Sequence, residues 1–301
     1  MSQRRFQTVD VFTSTRFEGN PLAVILDAEV LDDGEMQAIA TEFGYSETTF
    51  VRPPRDPANT AEVRIFTPTT EVPFAGHPNV GTAFVLGRLG EAFGRTPGDR
   101  LRFEEKAGLV EILLVRQDGI VTGATIRAPG PLTIGSVIDP AQAAPCFNLL
   151  PDHILTSRHQ PAFVSVGLKF ILAEVDGLDA LGRAKPDIVA LDALRTRFAH
   201  ENSDCAIFVY TRIDETHVRA RMFAPFDNVP EDPATGSASA ALGAYLASLD
   251  GLTGSRRLLV EQGVEMGRRS LIQIDVTSNA GKLESVSVTG ECAEVMRGTL
   301  A

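Results

Sequence analysis

The feature that most constrains this chain is that it repeats itself. Arg64-Ile65-Phe66-Thr67-Pro68 reads again as Arg221-Met222-Phe223-Ala224-Pro225, at an offset of 157 (64 to 221). At the same offset Val72-Pro73 falls on Val229-Pro230, and Ser46-Glu47 falls on Ser203-Asp204, without a gap. After each Val-Pro the chain enters a Gly/Pro loop and then an Ala-rich run, Gly76-His77-Pro78-Asn79-Val80-Gly81-Thr82-Ala83 in one copy and Asp232-Pro233-Ala234-Thr235-Gly236-Ser237-Ala238 in the other. Upstream, Gly19-Asn20-Pro21-Leu22-Ala23-Val24-Ile25 matches Gly167-Leu168-Lys169-Phe170-Ile171-Leu172-Ala173 at an offset of 148. One indel of nine residues reconciles the two offsets, although chance likeness of two apolar strands would also explain this match. Self-similarity of this kind means two copies of one structural unit. The 301 residues also reach the length at which single cores stop growing, about 250–300. Two domains are therefore expected, 1–128 and 129–301, with the last strand able to pack back on the first half and the Pro/Ala-rich stretch Pro129 to Pro151 as the crossing.

Hydrophobic period predicts the elements. Phe6–Phe12, Pro21–Leu26, Thr48–Arg52 and Val63–Thr67 read as strands, and Val110–Val115 with Ile120–Ala128 as a hairpin through Asp118-Gly119. Asp32–Phe43 has helical spacing, with Asp32 or Asp33 as cap and Gly44 as stop, and Pro78–Leu89 is a helix ending at Gly90. In the second copy Phe163–Val166, Phe170–Val175, Ala206–Thr211 and Val218–Phe223 are strands, and Ala234–Leu249 is a helix ended by Asp250-Gly251. The expected fold class is α+β, two pseudo-symmetric halves, each a strand barrel or sheet wrapped around a central helix. A doubly wound nucleotide-binding fold is disfavoured, because βα alternation is irregular and no GxGxxG follows the first strand.

Charge and composition exclude several functions. A net charge of −11 repels phosphate backbones, so no nucleic-acid partner is expected. No apolar run approaches the ~20 residues of a membrane span, and no apolar stretch follows Arg4 and Arg5, so a cytoplasmic protein with no targeting segment and no membrane partner is expected. Cys146, Cys205 and Cys292 form no CxxC, and their odd number argues against a disulfide framework. His77, His153, His159, His200 and His217 form no HExxH or HxH, so no metal is expected.

The two loop-to-helix junctions carry the chemistry. A helix start offers free N–H groups and about half a positive charge, which suits a carboxylate or phosphate. Gly76, Pro78 and Asn79 in one copy, and Gly236 and Ala238 in the other, are therefore candidate substrate-binding residues, with both helix starts expected to face one cleft. Glu47, in Tyr45-Ser46-Glu47-Thr48, is a candidate acid/base if it is buried, and otherwise an exposed strand-end carboxylate. Its repeat partner Asp204 is also acidic. His77 precedes Pro78, a favoured first helical residue, and either handles a substrate proton or caps the helix. Asp232 either orients a substrate amine or hydroxyl or is the N-cap of its helix. Ser237 is a substrate contact or a cap, since no GxSxG setting makes it a nucleophile. Tyr45, Phe74 and Phe226 are candidate apolar walls.

Phe12-Thr13, Phe17-x-Gly19-Asn20-Pro21-Leu22-Ala23-Val24, Ser46-Glu47-Thr48, Arg64 to Pro68, Phe74-Ala75-Gly76-His77-Pro78, Glu231-Asp232-Pro233-Ala234-Thr235-Gly236-Ser237-Ala238 and Gln262-Gly263-x-Glu265-Met266-Gly267-Arg268 together resemble the phenazine-biosynthesis PhzF-like family, in order and through nearly the whole chain. The resemblance implies a diaminopimelate-epimerase-like fold, a homodimer, a small-molecule carboxylate substrate and isomerase chemistry without a cofactor. In the family's type reaction a glutamate moves a proton between ring carbons of trans-2,3-dihydro-3-hydroxyanthranilate. Carried over, Glu47 is the acid/base, His77, Asp232 and Ser237 position substrate and proton, and backbone amides near Gly76 and Gly236 hold the carboxylate. Arg269 stands where the family often has Pro, which would place a cation at the rim of the cleft. Amino-acid epimerases of the same fold use two thiols at these loops, where this chain has none. A non-catalytic small-molecule-binding protein is the remaining alternative.

Overall fold

Runs of Val, Ile and Phe punctuated by Gly, Pro and Asp become strands here, and the Ala-rich runs become helices. The computed structural model describes residues 4–300, so Met1 to Gln3 and Ala301, at the ends of the two expected domains, lie outside the described residues. The chain divides into two units, one running up to Arg127 together with the residues from Thr289 onward, the other Ala128–Val288.

The first unit holds β1 (Arg4–Val11), β2 (Asn20–Ile25), α1 (Asp33–Phe43), β3 (Glu47–Arg52), β4 (Ala61–Phe66), β5 (Glu71–Val72), α2 (Gly76–Leu89), β6 (Arg100–Glu105), β7 (Gly108–Gln117) and β8 (Ile120–Arg127). The second holds β9 (Thr133–Val137), α3 (Pro140–Ala143), β10 (Ala162–Ser165), β11 (Lys169–Glu174), α4 (Gly177–Arg183), α5 (Ile188–Arg197), β12 (Ile207–Arg212), β13 (His217–Ala224), β14 (Val229–Asp232), α6 (Gly236–Leu249), β15 (Gly254–Gln262) and β16 (Ser270–Asn279). The cut between units falls inside the long β17 (Lys282–Leu300).

In the first unit β1 runs antiparallel to β2, β2 parallel to β3, β3 antiparallel to β4, β4 parallel to β6, and β6, β7 and β8 form an antiparallel meander. β17 pairs with both β8 and β1, so among the described residues eight strands close into a barrel. Asp118 and Gly119, with φ of 52° and 78°, make the left-handed two-residue turn expected between β7 and β8. Inside packs α2, whose residues from His77 to Leu86 are all buried and which touches β1, β2, β3, β7 and β8. A helix apolar on every side has to be enclosed in this way. Outside, α1 lays Met36 and Ala40 against Ile25, Phe50 and Phe66. Its start is a capping box between Asp32 and Glu35, and Gly44 closes it in the left-handed conformation.

The second unit repeats the sequence of strand directions. β10 is antiparallel to β11, β11 parallel to β12, β12 antiparallel to β13, β13 parallel to β15, and β15 antiparallel to β16. α6 takes the place of α2, and its residues from Ala238 to Ala247 are buried. The repeated arginine explains why its motif recurs. Arg64 makes a two-point ion pair with Glu71 and lies 5.2 Å from the Phe66 ring. Arg221 does the same with Glu231 and lies 4.9 Å from the Phe223 ring.

Strand register corrects one repeat assignment. Phe66 pairs with Thr48, and its counterpart Phe223 pairs with Ile207. Glu47 therefore corresponds to Ala206, not to Asp204. A slip of two residues preserves which side chains face the core, so burial does not penalise it. Asp204 is exposed and ion-paired with Arg195 at 3.8 Å. By contrast the offset of 148 holds, since Ala23 pairs with Thr48 as Ile171 pairs with Ile207. Periodicity missed β6, β15, β16 and β17, and the expected crossing segment contains β9 and α3.

Candidate active site

Glu47 is the first residue of β3, and His77 lies in the first turn of α2. β3 is held between β2 and β4, so the barrel brings the two side chains together, with His77 Nε2 3.6 Å from Glu47 Oε2. The carboxylate side chain is 19% exposed and the imidazole 6%. Burial pushes the His77 pKa down to about 3, only partly offset by its hydrogen bond to the Pro21 carbonyl. Nε2 has no hydrogen-bond partner, so Nδ1 is the nitrogen that donates to Pro21. The ring is neutral, its proton is fixed on Nδ1, and the Nε2 lone pair faces Glu47.

The helix carrying His77 starts two residues before Pro78, at Gly76, so Pro78 is its third residue rather than its first. The N-cap, Ala75, has no side chain able to cap. Asn79 Nδ2 donates to the Ala75 carbonyl at 3.0 Å, which braces the first turn without capping its free N–H groups. Asn79 has no exposed surface, and its side chain is bonded to the helix start.

In the second unit Asp232 ends β14 and is not the N-cap of α6, which is Thr235. The buried Asp232 carboxylate accepts from Thr235 Oγ1 at 2.5 Å. Gln262 closes the loop, donating to the Asp232 carbonyl at 2.7 Å and to Thr235 Oγ1 at 3.1 Å and accepting from Thr235 N at 3.1 Å. Ser237 follows Gly236 in the first turn of α6, half-buried, while Ala238 is fully buried. Glu47 with His77 thus belongs to the first unit, and Asp232 with Ser237 to the second.

The profile of the phenazine biosynthesis-like proteins matches residues 9–298. This chain belongs to that family. A Mesorhizobium japonicum relative described as an uncharacterized isomerase is 39% identical, covering 100% of this chain and 99% of its own. The trans-2,3-dihydro-3-hydroxyanthranilate isomerase of Pseudomonas chlororaphis is 36% identical, over 97% of each chain. A Bacillus anthracis phenazine biosynthesis protein of the PhzF family superposes with a TM-score of 0.86 at 26% identity, each chain fully covered. A hydroxyproline epimerase from Agrobacterium vitis, 14% identical, shares the fold with a TM-score of 0.66 over 100% of this chain and 91% of its own. The chain is an isomerase of the phenazine biosynthesis-like family.

Two details of this family member differ from expectation. Arg269 does not stand free at a rim, because its Nε donates to Glu261 Oε1 at 2.5 Å, and Arg219 takes the other oxygen at 2.7 Å. Phe226 is no open wall either, since it packs on the core of its own unit under Arg195, 4.4 Å from the guanidinium carbon. Thr235 and Glu105 were not singled out from sequence. Glu105 could have been found, because Leu101, Phe103 and Glu105 share one face of a strand and the first two are core residues.

Proposed function

We propose that this isomerase shifts a proton within a small carboxylate-bearing metabolite without a cofactor, with Glu47 as the acid/base. The observation that supports this reading most is the neutral imidazole lone pair of His77 aimed at Glu47 Oε2 from 3.6 Å. The Glu47 carboxylate takes a proton from one substrate carbon and returns it to another, so a double bond moves and no net proton is consumed. A neutral His77 adds no positive charge beside the Glu47 carboxylate that is to accept the proton. His77 Nε2 accepts from a substrate N–H or O–H while that transfer runs. Asp232, held by Thr235, and Ser237 orient substrate polar groups, and the N–H groups at Gly76 and Gly236 hold its carboxylate. The substrate class is that of trans-2,3-dihydro-3-hydroxyanthranilate, the protein acts in the cytoplasm, and it assembles as a homodimer.

The test is proton NMR of the purified protein with trans-2,3-dihydro-3-hydroxyanthranilate in deuterated water. Conversion that disappears in Glu47→Gln supports the assignment. Substantial turnover by Glu47→Gln removes Glu47 from its role. Binding without conversion by the wild type would assign the chain another substrate.

A further inference from the structure

Glu105 is an acid on the inside of the barrel. It ends β6, is 6% exposed, and lies against the side chain of Asn79. Neither of its oxygens, nor Asn79 Oδ1, has a hydrogen-bond partner. Three buried acceptors in one place are costly, and a single proton on Glu105 pairs two of them. A protonated Glu105 donates its O–H to Asn79 Oδ1 while Asn79 Nδ2 donates to the Ala75 carbonyl.

The repeat supplies an independent argument. Ala61 pairs with Phe103 and Glu62 with Glu104, as Val218 pairs with Val260 and Arg219 with Glu261. Glu105 therefore occupies the position of Gln262. That glutamine, a neutral isostere of protonated glutamate, binds Thr235, the residue before α6, at both N and Oγ1. The counterpart of Thr235 is Ala75, before α2. Ser239 Oγ donates to the Thr235 carbonyl at 2.9 Å just as Asn79 does to that of Ala75. The same place in each unit is thus held by the same strand position.

We propose that Glu105 is a positioning residue: its neutral carboxyl group, bonded through Asn79 to Ala75, holds the first turn of α2 that carries Gly76 and His77. Burial accordingly pushes its pKa up to about 8. The charged groups around it are committed elsewhere. Glu104 takes Arg55, Asp56 and Asn59, Lys106 pairs with Glu71, and Arg64 with Glu71 and Asp33. Glu62 pairs with Arg52 and Arg55, Glu111 with Arg100 and Arg102, and Arg88 with Glu294, while His77 is neutral. None of them enters the balance at Glu105, which burial and Asn79 set. The effect of Glu105 on turnover rests on the isomerase reading above, whereas its effect on the helix start does not.

The experiment follows the backbone amides of Gly76 and His77 by NMR through an alkaline titration, alongside kcat/KM for trans-2,3-dihydro-3-hydroxyanthranilate. In the wild type both amides shift with a midpoint near 8. In Glu105→Gln the shift disappears. Glu105→Leu, which fills the space without the hydrogen bond, lowers kcat/KM about tenfold or more, and Glu105→Gln recovers most of that loss and removes its alkaline component. Amides that do not titrate in the wild type, or that titrate equally in Glu105→Gln, overturn the proposal. Amides that behave as expected in a protein without turnover uphold the positioning role and refute the isomerase reading.

Discussion

Replacing each of the two repeated arginines by methionine separates what the duplication preserved from what each copy added. Arg221 is 8% exposed and makes five hydrogen bonds, two to Glu231 at 2.8 Å and three from Nη1 to the Leu181, Gly182 and Ala184 carbonyls at 3.1, 3.1 and 2.8 Å. Arg221→Met removes the charge while leaving Glu231 and three carbonyls without their donor. Breaking a buried pair in this way costs about 3–5 kcal/mol. Arg64 makes the same pair with Glu71, but its third contact is to Asp33, whose side chain is 82% exposed, and Glu71 keeps Lys106 when the arginine is gone. Arg64→Met should therefore cost only about 1–2 kcal/mol, since the remaining contacts are screened or replaced. At roughly 2–4 °C per kcal/mol for a unit of this size, Arg221→Met lowers Tm by about 6–20 °C and Arg64→Met by about 2–8 °C. Scanning calorimetry measures both, and hydrogen exchange should show the Arg221→Met loss concentrated in α4, β13 and β14. Adding Glu231→Gln to Arg221→Met should recover part of the loss, because the stranded carboxylate is then neutral. An Arg64→Met variant that melts as low as Arg221→Met, or lower, would refute the reasoning.

Other outcomes follow from the same geometry. In Gly123→Ala the new Cβ would lie 2.0 Å from the Gly290 carbonyl oxygen, a backbone atom that cannot rotate away, so closure of the barrel should fail and the variant should be insoluble or unfolded by circular dichroism. Cys146, Cys205 and Cys292 are buried, and burial raises the first two thiols to about 12 and about 11 and the third further still, so a thiol reagent should find no fast-reacting group until the protein is unfolded. The two shifted interior groups pull stability in opposite directions with pH. His77 is depressed from 6.5 to about 3, so unfolding takes up a proton in that window and stability falls as the pH is lowered through it, by up to about 1.4 kcal/mol per unit. Glu105 is raised from 4.5 to about 8, so stability falls as the pH is raised through that window. Between 4.5 and 6.5 the two slopes oppose, so denaturant melts of Glu105→Gln should show stability rising more steeply with pH across that window than in the wild type. A wild type and Glu105→Gln with the same pH profile would contradict the Glu105 assignment.

The duplication, the central helices and their Gly-rich starts are legible in the sequence, because each rests on local chemistry, whereas the roles expected of Glu47, His77, Asp232 and Ser237 come with the family resemblance. Ala-rich runs make helices that can be enclosed, and a turn such as Asp118-Gly119 needs φ above zero wherever it occurs. Strand partnership is not local. The return of the last strand to the first half is expected from the sequence, but the order of residues does not say that it closes the barrel on β1 and β8, or that β12 sits two residues out of step with β3, so that Asp204 loses its place to Ala206. Charge state is not local either. Only the enclosure of α2 leaves His77 neutral beside Glu47, and only the pairing of β6 with β4 turns an ordinary glutamate into an interior acid that matches Gln262. Local sequence determines which groups are present at the helix starts. The fold decides how much water each one keeps, and from that which of them carries a proton.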